Sequence, residues 1–401
     1  RVIIGQDVSE RIELQNTYEL LVQNVEDLIF TVDIDGNFVF LNDTFLSRTG
    51  YTKEELIGKN SMSVVSEECR EEIAYFYRSH FLERKASSYK ELPMITKSGE
   101  TIWIGQYVNT IYTPGTTNHV KGFISLARDI TDLRRQQKLM TAQRDDITAS
   151  INYAQRIQFN LLPNQRMFEE HFEHYFIMFS PKDIVSGDFY WMQKIDNKLV
   201  LVLGDCTGHG VPGAFMTLLG INLLNNIVLE ARLTEPGMIL NELDKRLQEY
   251  FGATGKAKMT DGMELTICVM DDLKEEVSYA CAGSRFLIKN DYGFTLYKGN
   301  NEHIGDQKSN NFKGYITQYT SIGADDTVYF FTDGFQDQFG GVKNKKYSFR
   351  RLLDLLESNV NLSLEDQRMM IEAEFDQWMS NQPQTDDVTI IGVQRRYKKQ
   401  D

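Results

Sequence analysis

The chain of 401 residues carries a formal net charge of −14 and has a sequence pI of about 5.0. A surface that binds nucleic acid needs a stripe of basic side chains, so this charge balance argues against DNA or RNA as a partner. The length suggests two or three domains, and the 41% of hydrophobic residues are enough for well-packed cores.

The cysteines and the apolar runs bear on the cellular compartment. The four cysteines, Cys69, Cys206, Cys268 and Cys281, form no Cys-x-x-Cys pair. A disulfide framework is therefore not expected, and a reducing compartment is the natural interpretation. No apolar run suggests a membrane span, and no signal-peptide pattern is present. We therefore expect a cytoplasmic protein with no membrane segment in this chain.

Residues 1–132 show the pattern of a lead-in helix followed by a small sheet. The helix is expected over 1–15. Strands are predicted at 28–33 and 37–42, and Asp35-Gly36 between them is a strong hairpin signal. The predicted elements that follow are short helices at 43–47 and 53–57, a longer helix over about 67–84, and strands at 89–96, 101–112 and 120–129.

This order of elements resembles a PAS domain over residues 16–132. The segments that carry the resemblance are Asp33–Asn42, Gly50–Gly58 and Ala127–Asp132. The resemblance implies a five-stranded antiparallel sheet with helices, used for sensing or dimerisation. Flavin photochemistry is not expected, because Ser61 stands where light-sensing relatives have a reactive cysteine. His80 is expected on a helix surface, and the PAS ligand is unknown.

Residues 133–162 predict one long helix without proline or glycine. Positions spaced by three or four residues are mostly apolar along it. These positions are Leu133, Gln137, Met140, Arg144, Ile147, Ile151, Ala154, Gln158 and Leu161. The pattern favours a coiled-coil linker, the alternative being a single helix packed on its own domains. We expect a parallel homodimer formed through the PAS domain and this helix.

Aspartates stand at the ends of apolar runs in the last part of the chain. Asp205 lies within Gly204–Gly210, after a strand-like run over 198–203 and before a predicted helix over 211–233. Carboxylates at strand ends beside glycines are typical ligands of hard cations. Each motif alone also fits an ordinary turn. Together they predict a site for two divalent metals. The other aspartates are Asp188 in 185–190, Asp333 after 327–332, and Asp386 and Asp387 before 388–393.

The motif set resembles the SpoIIE/RsbU-like branch of the metal-dependent PPM (type 2C) protein phosphatases. The motifs are Ser186–Tyr190, Gly204–Gly210, Thr332–Gly334, Asp386–Thr389 and the helix 154–163. The resemblance covers about 154–396 and implies an α-β-β-α sandwich, with the phosphatase domain at 163–396. The fold class of the whole chain is then α+β.

The resemblance also implies which residues hold the metals. Asp205 would bridge both ions, and Asp333 and Asp386 would complete one of them. Asp188 and the backbone carbonyl of Cys206 would serve the other. Paired Mn²⁺ or Mg²⁺ ions activate a bridging water and neutralise a phosphoryl group. Oxygen-only ligands suit these ions better than zinc.

Two neighbouring residues carry further expectations. Asp387 follows a main ligand and would assist the metals. His209 is a candidate general acid for the leaving seryl oxygen. The alternative for His209 is a loop histidine that shapes the turn, because two more residues separate it from Asp205 than in eukaryotic-type members. The arginine that binds phosphate in those members has no clear match here.

The implied function is a sensor-regulated, metal-dependent protein serine/threonine phosphatase. Substrates in this bacterial branch are commonly phosphorylated STAS-domain anti-sigma-factor antagonists, which act in partner switching. Two alternatives stay open. One is a PAS-linked nucleotide-signalling enzyme, because Ser186–Phe189 partly resembles a turn of diguanylate cyclases, although the second acidic residue is missing. The other is a catalytically inactive scaffold with a phosphatase fold, against which all four aspartate motifs argue.

Overall fold

The structure is a computed structural model that describes residues 25–113, 115, 119–252 and 262–396, together with residues 13, 17, 21 and 22. Contacts between Cα atoms divide the chain into two compact units, Arg1–Asp146 and Ile147–Asp401. The lead-in helix predicted over 1–15 lies outside the described residues, apart from Glu13, which is helical.

The N-terminal unit is the predicted five-stranded antiparallel sheet with helices. Its strands are β1 (Leu28–Asp33), β2 (Phe38–Leu41), β3 (Ser87–Ile95), β4 (Thr101–Tyr112) and β5 (Val120–Asp129). They lie side by side in the order β2-β1-β5-β4-β3. Between β2 and β3 the chain forms helices α1 (Asp43–Thr49), α2 (Lys53–Leu56) and α3 (Arg70–Leu82), with 3-10 turns at Ser61–Val64 and Glu67–Cys69.

The hairpin of β1 and β2 forms where the sequence predicts it. Gly36 has a φ of +82°, which glycine adopts without strain. Asp33 Oδ1 accepts a hydrogen bond from the amide of Asn37 at 2.8 Å and so closes the turn. Phe30 and Phe38 pack edge to face behind it, with ring centroids 5.6 Å apart. Local turn chemistry and core packing therefore favour the same hairpin.

His80, predicted on a helix surface, is buried instead. Its Nδ1 lies 2.7 Å from Ser88 Oγ, and its Nε2 lies 3.0 Å from Thr110 Oγ1. Burial and then the charge of Lys85 lower the pKa of His80. The prediction was wrong because helical periodicity cannot show that β3 and β4 cover this face of α3.

A single helix, α4 (Thr131–Leu161), follows the first sheet. Apolar residues recur on it every seven residues, at Leu133, Met140, Ile147, Ala154 and Leu161. The four larger side chains of this series are between 43% and 69% exposed. Near the end of the helix Gln158 is buried. The helix therefore presents an uncovered apolar stripe along most of its length and a buried polar anchor near its end.

The C-terminal unit contains two five-stranded antiparallel sheets. One has the order β13-β10-β9-β8-β7 and is built from β7 (Phe189–Ile195), β8 (Lys198–Cys206), β9 (Met263–Asp271), β10 (Glu276–Ala282) and β13 (Gln318–Ser321). The other has the order β12-β11-β14-β17-β6 and is built from β6 (Phe172–Ser180), β11 (Arg285–Asn290), β12 (Gly293–Lys298), β14 (Thr327–Phe331) and β17 (Val388–Arg395). A short hairpin pairs β15 (Phe339–Gly340) with β16 (Lys345–Lys346).

Helices cover the outer faces of these two sheets. They are α5 (Gln165–His171), α6 (Gly210–Leu224), α7 (Pro236–Gly252), α8 (Gly334–Asp337), α9 (Phe349–Ser358) and α10 (Leu364–Met379). The largest apolar cluster joins both sheets with α6 and α7, and it includes Phe286 and Phe330. A second cluster joins the other face of the second sheet, at Tyr329, to α9 and α10. The α-β-β-α sandwich and the α+β class are as predicted.

One segment of this unit has the length and composition of a membrane span. It is the stretch Gly210–Glu230, in which α6 continues as a π-helical turn. No membrane span was expected from the sequence in this segment. Of its most apolar window 56% is buried, and Leu224 and Ile227 lie in the central core. The apolar composition of the segment is therefore explained by its position as a core helix.

Candidate functional site

Asp205 is the centre of an acidic cluster at one end of the two sheets. Strand β8 extends to Cys206, so Asp205 lies within the strand rather than after it. Burial, followed by the like charges of Asp188, Asp333, Glu264 and Asp386, raises the pKa of Asp205 well above its usual value. The structure therefore brings three of the predicted aspartates close enough to Asp205 to act on its charge.

Asp188 is the most deeply buried member of the cluster. Its Oδ2 accepts hydrogen bonds from the hydroxyls of Thr332 at 2.7 Å and Thr389 at 2.6 Å. Its Oδ1 is buried and has no hydrogen-bond partner in the described part of the chain. Burial, with a further contribution from the charges of Asp387 and Asp386, raises the pKa of Asp188 to about 8. A buried oxygen of this kind carries a desolvation cost that a ligand would offset.

Asp333 follows the last residue of β14 in the second sheet by two positions and is the N-cap residue of α8. Burial, Asp337 and Asp386 raise its pKa, whereas the charges of Lys346 and Arg285 lower it. Asp333 also lines a cavity of about 290 Å³ together with Asp205. The two sequence motifs that contain these aspartates therefore meet at one opening, although they lie on different sheets.

Asp387 differs from the other acidic residues, because both of its carboxylate oxygens are occupied. Oδ1 accepts a hydrogen bond from the backbone amide of Lys182, and Oδ2 accepts one from the backbone amide of Gly187, each at 2.7 Å. Burial still raises the pKa of Asp387, and these backbone bonds lower it. Asp386 is exposed, and its Oδ1 accepts a hydrogen bond from the backbone amide of Asp387. Asp387 thus holds the loop that carries Asp188.

Two glycines allow these segments to approach one another. A Cβ at Gly334 would overlap the carbonyl oxygen of Asp387. A Cβ at Gly187 would lie 2.6 Å from the carbonyl oxygen of Gly208 and 3.1 Å from that of Cys206. The backbone carbonyl of Cys206 therefore faces the loop of Asp188, while the thiol is buried near Thr217. Close backbone contact, rather than a turn with positive φ, explains both glycines.

His209 contacts Asp183, which is not one of the acidic residues predicted to bind metal. Its Nδ1 lies 2.6 Å from Asp183 Oδ2, and both side chains are about half exposed. His209 is the N-cap residue of α6, and it is not among the main charged groups that shift the pKa of Asp205. Thr207 and Gly208 separate His209 from the end of β8 at Cys206.

The donor atoms of the cluster suit a hard divalent cation. They are carboxylate oxygens under mutual repulsion, and Asp188 Oδ1 is one that hydrogen bonds leave unsatisfied. Among the residues that the structure describes, however, no three His, Cys, Asp or Glu side chains are close enough to surround one ion. The residues therefore fit a metal by chemistry and charge, and the ligand assignment stays a prediction.

Glu264 is the acidic residue that the sequence analysis missed. The register of β8 and β9 places Glu264 directly opposite Asp205. Burial raises the pKa of Glu264, whereas His303, whose Nε2 lies 3.5 Å from its carboxylate, lowers it. Glu264 is the second residue of β9 and follows Gly262 by two positions, but only the strand register shows that it faces Asp205.

A buried glutamine connects α4 with this site. Gln158 Nε2 donates to the carbonyl oxygen of Ser186 at 2.6 Å, and the amide of Ser186 donates to Gln158 Oε1 at 3.0 Å. Thr217 Oγ1 in α6 donates to the carbonyl oxygen of Gly187 at 2.8 Å. The short loop before Asp188 is therefore fixed from both sides by buried side chains.

Comparisons with known proteins identify the families of both domains. Residues 195–396, half of the chain, match the sequence profile of the SpoIIE family, described as Stage II sporulation protein E. Residues 26–132 match the profile of a PAS domain. No curated protein sequence matches the chain. The two profile matches confirm the resemblances on which the sequence analysis relied.

The chain is similar to several solved structures. The SiaA-PP2C domain of Pseudomonas aeruginosa is 28% identical over 64% of this chain and 99% of that domain, with a TM-score of 0.58. The RsbU and RsbW domains of a Mycobacterium tuberculosis protein are 19% identical over 57% of this chain and 62% of that one, with a TM-score of 0.45. The PAS domain of a Colwellia psychrerythraea protein is 24% identical over 30% of this chain and 98% of that one, with a TM-score of 0.28. The chain belongs to the SpoIIE family of PP2C-type phosphatases and carries a PAS domain before its phosphatase domain.

Proposed function

We propose that the protein hydrolyses phosphoserine or phosphothreonine on a protein partner with the help of two divalent metal ions. The observation that carries this proposal is the acidic cluster around Asp205. Buried carboxylates repel one another there, and the cavity beside them is open to a substrate. Such a cluster is costly for the folded state unless a cation offsets the repulsion.

The proposed metal ligands are Asp205 for both ions, Asp333 and Asp386 for one, and Asp188 with the carbonyl of Cys206 for the other. Bound Mn²⁺ or Mg²⁺ would activate a water molecule and neutralise phosphoryl charge. Asp387 supports the site by holding two backbone amides of the Asp188 loop. We assign it this supporting role because neither of its oxygens lacks a hydrogen-bond donor.

His209 is our candidate for protonating the leaving oxygen of the substrate residue. It lies on the short loop that follows Asp205 and β8, and Asp183 orients its ring through Nδ1. Replacement of His209 with Gln, compared with Asp183→Asn, tests this role through the pH profile of kcat. If His209 is the general acid, the fall of kcat at alkaline pH should disappear in His209→Gln. If His209 only shapes the loop, the form of the profile should not change.

The decisive experiment is hydrolysis of an aryl phosphate and of a phosphoserine peptide by the full chain with and without Mn²⁺. Asp205→Asn and Asp333→Asn should abolish metal-dependent phosphate release. Asp291→Asn is a matched control, because Asp291 lies in the exposed turn between β11 and β12. Turnover by Asp205→Asn at the wild-type rate would rule out the metal site. An inactive wild-type protein would favour the scaffold alternative.

The partner is proposed from family membership rather than from any contact in the chain. A phosphorylated STAS-domain anti-sigma-factor antagonist is the expected substrate, as in related partner-switching systems. A pull-down with the Asp205→Asn variant, followed by mass spectrometry of retained phosphoproteins, tests it.

Cytoplasmic localisation also stays a prediction. The nucleotide-signalling alternative is not supported, because the chain is a member of the SpoIIE family.

The homodimer is proposed from the apolar stripe of α4. Leu133, Met140 and Ile147 are spaced by seven residues and largely exposed. Apolar residues that recur every seven residues form the seam along which two helices wrap around each other. A second copy of the same helix supplies a matching stripe in parallel register, which is why we favour it over an unrelated partner.

A further inference from the structure

A pair of cations lines the same cavity as the Asp205–Glu264 pair. Arg285 begins β11 and Lys298 ends β12, and the register of these antiparallel strands places them directly opposite each other. Both line the cavity of about 290 Å³ beside Asp205 and Glu264. The first sheet thus contributes two facing anions to this cavity, and the second sheet contributes two facing cations.

We propose that Arg285 and Lys298 bind the phosphoryl group of the substrate, a phosphomonoester dianion, inside this cavity. The inference rests on the proposed function for the identity of the substrate. The anion site itself can be tested without turnover. The inference supplies the phosphate contact for which the sequence offered no matching arginine.

The cation pair has an electrostatic cost within the sheet. Like charges directly opposite each other on neighbouring strands destabilise the pairing. In the described part of the chain, no carboxylate oxygen lies within 4.0 Å of a side-chain nitrogen of Arg285 or Lys298, so neither forms an ion pair. The charge of Arg285 does reach Asp333 and Glu264. A bound dianion between the two side chains would offset the repulsion that the register imposes.

Arg285 is held in place before any ligand arrives. Its Nη2 donates to Gln336 Oε1 at 2.7 Å, and its guanidinium carbon lies 4.4 Å from the ring centroid of Phe349. Gln336 also lines the cavity. A guanidinium fixed in this way loses little freedom on binding, and its planar donors match phosphoryl oxygens. Lys298 is exposed and adds a mobile point charge at the same opening.

Two cations at one site favour ligands that carry two negative charges over ligands that carry one. A phosphomonoester carries about two negative charges at neutral pH, since its second pKa is about 6. A phosphodiester carries only one charge. The pair should therefore discriminate in favour of phosphomonoesters and of inorganic phosphate, which is the product of their hydrolysis.

The test is calorimetric titration of the full chain with inorganic phosphate in the presence of Mg²⁺. Arg285→Met keeps an unbranched stem over Phe349 and removes the charge, and it should lower the affinity for phosphate at least about tenfold. Lys298→Met should lower it by a smaller factor. Arg285→Lys should be intermediate, because the charge remains and the planar fork is lost.

Arg351→Met is the matched control. The Arg351 guanidinium also lies over an aromatic ring, 4.3 Å from the centroid of Trp378, but it does not line this cavity. Its affinity for phosphate should stay within about twofold of wild type. Thermal midpoints establish folding for every variant. If Arg285→Met does not fold, Arg285→Lys and Lys298→Met decide the question.

The outcomes separate this inference from the proposed function. Failure of the wild-type protein to bind phosphate would overturn the inference. So would wild-type affinity in every folded variant of Arg285 and Lys298. Phosphate binding that depends on Arg285, without metal-dependent hydrolysis of an aryl phosphate by the wild type, would leave the anion site standing and remove the proposed hydrolysis.

Discussion

Gln158 and Ser186 are joined by two hydrogen bonds between a side-chain amide and a backbone, at 2.6 and 3.0 Å. Gln158 lies in the last turn of α4, and Ser186 stands two residues before the buried Asp188. The helix that follows the PAS domain is thereby tied directly to the loop of a proposed metal ligand. A movement of this helix would therefore shift the loop of Asp188 through the side chain of Gln158.

Removal of this connection should weaken metal binding. In Gln158→Ala two buried hydrogen bonds are lost, which should cost about 2 kcal/mol of unfolding free energy and loosen the Asp188 loop. We expect a lower thermal midpoint and a weaker affinity for Mn²⁺ by calorimetry. Gln165→Ala is the control, because the side chain of Gln165 is exposed and donates a hydrogen bond to Glu169 on the surface of α5. Unchanged Mn²⁺ affinity in Gln158→Ala would show that the loop is positioned by other contacts.

Glu264→Gln should raise stability without metal and reduce the effect of metal. The substitution removes one of the two like charges that face each other across β8 and β9. We expect the metal-free thermal midpoint to rise by about 2–4 °C, and the further rise on adding Mn²⁺ to shrink. Glu276→Gln, on β10 of the same sheet, serves as the control. A fall in the metal-free midpoint would contradict the repulsion on which the argument depends.

Stability without metal should fall as the pH rises. Asp188 has a pKa near 3.8 when exposed and about 8 in the folded protein. The folded state therefore keeps a proton that the unfolded state releases, and its stabilising effect is lost between these two pH values. Thermal midpoints in the presence of a chelator should decrease from pH 5 to pH 9, in the range that these pKa values set. Asp188→Asn should flatten the curve, and a slope as steep as that of the wild type would exclude Asp188 as its source.

The apolar stripe of α4 predicts the oligomeric state. The full chain should be a dimer by light scattering at micromolar concentration, and Met140→Glu combined with Ile147→Glu should make it a monomer, because both side chains are more than 60% exposed. Thr141→Glu combined with Thr148→Glu adds the same charge one position away from each and should leave the dimer intact. A monomeric wild-type chain would remove the coiled-coil interpretation.

Insertions in α4 test whether the helix transmits a signal. Each residue added after Thr148 rotates the preceding helix by about 100° relative to Gln158. Insertions of one to four residues should therefore change metal-dependent turnover, and an insertion of seven should restore it because the phase nearly returns. Equal turnover after all of these insertions would show that the helix is a passive tether.

The sequence predicted the elements of both domains well, and it predicted the site less completely. Asp205 and Asp333 are marked by strand ends and glycines, which are local features. Glu264 and the facing pair of Arg285 and Lys298 depend on strand register, and neither apolar periodicity nor turn chemistry reveals which residues face each other across two strands. The burial of His80 depends in the same way on distant strands.

The uninterrupted α4 also predicts how a different sensor could be joined to the phosphatase domain. Its 31 residues form a rod about 46 Å long, and the residue that contacts the phosphatase loop is fixed near one end. A signal carried by rotation of the rod depends on the number of residues between the sensor and Gln158, and not on the identity of the sensor. Gene fusions that replace the PAS domain should therefore function in discrete classes of linker length, spaced by about seven residues. A library of chimeras with linkers lengthened one residue at a time would show this as a periodic rise and fall of phosphatase output.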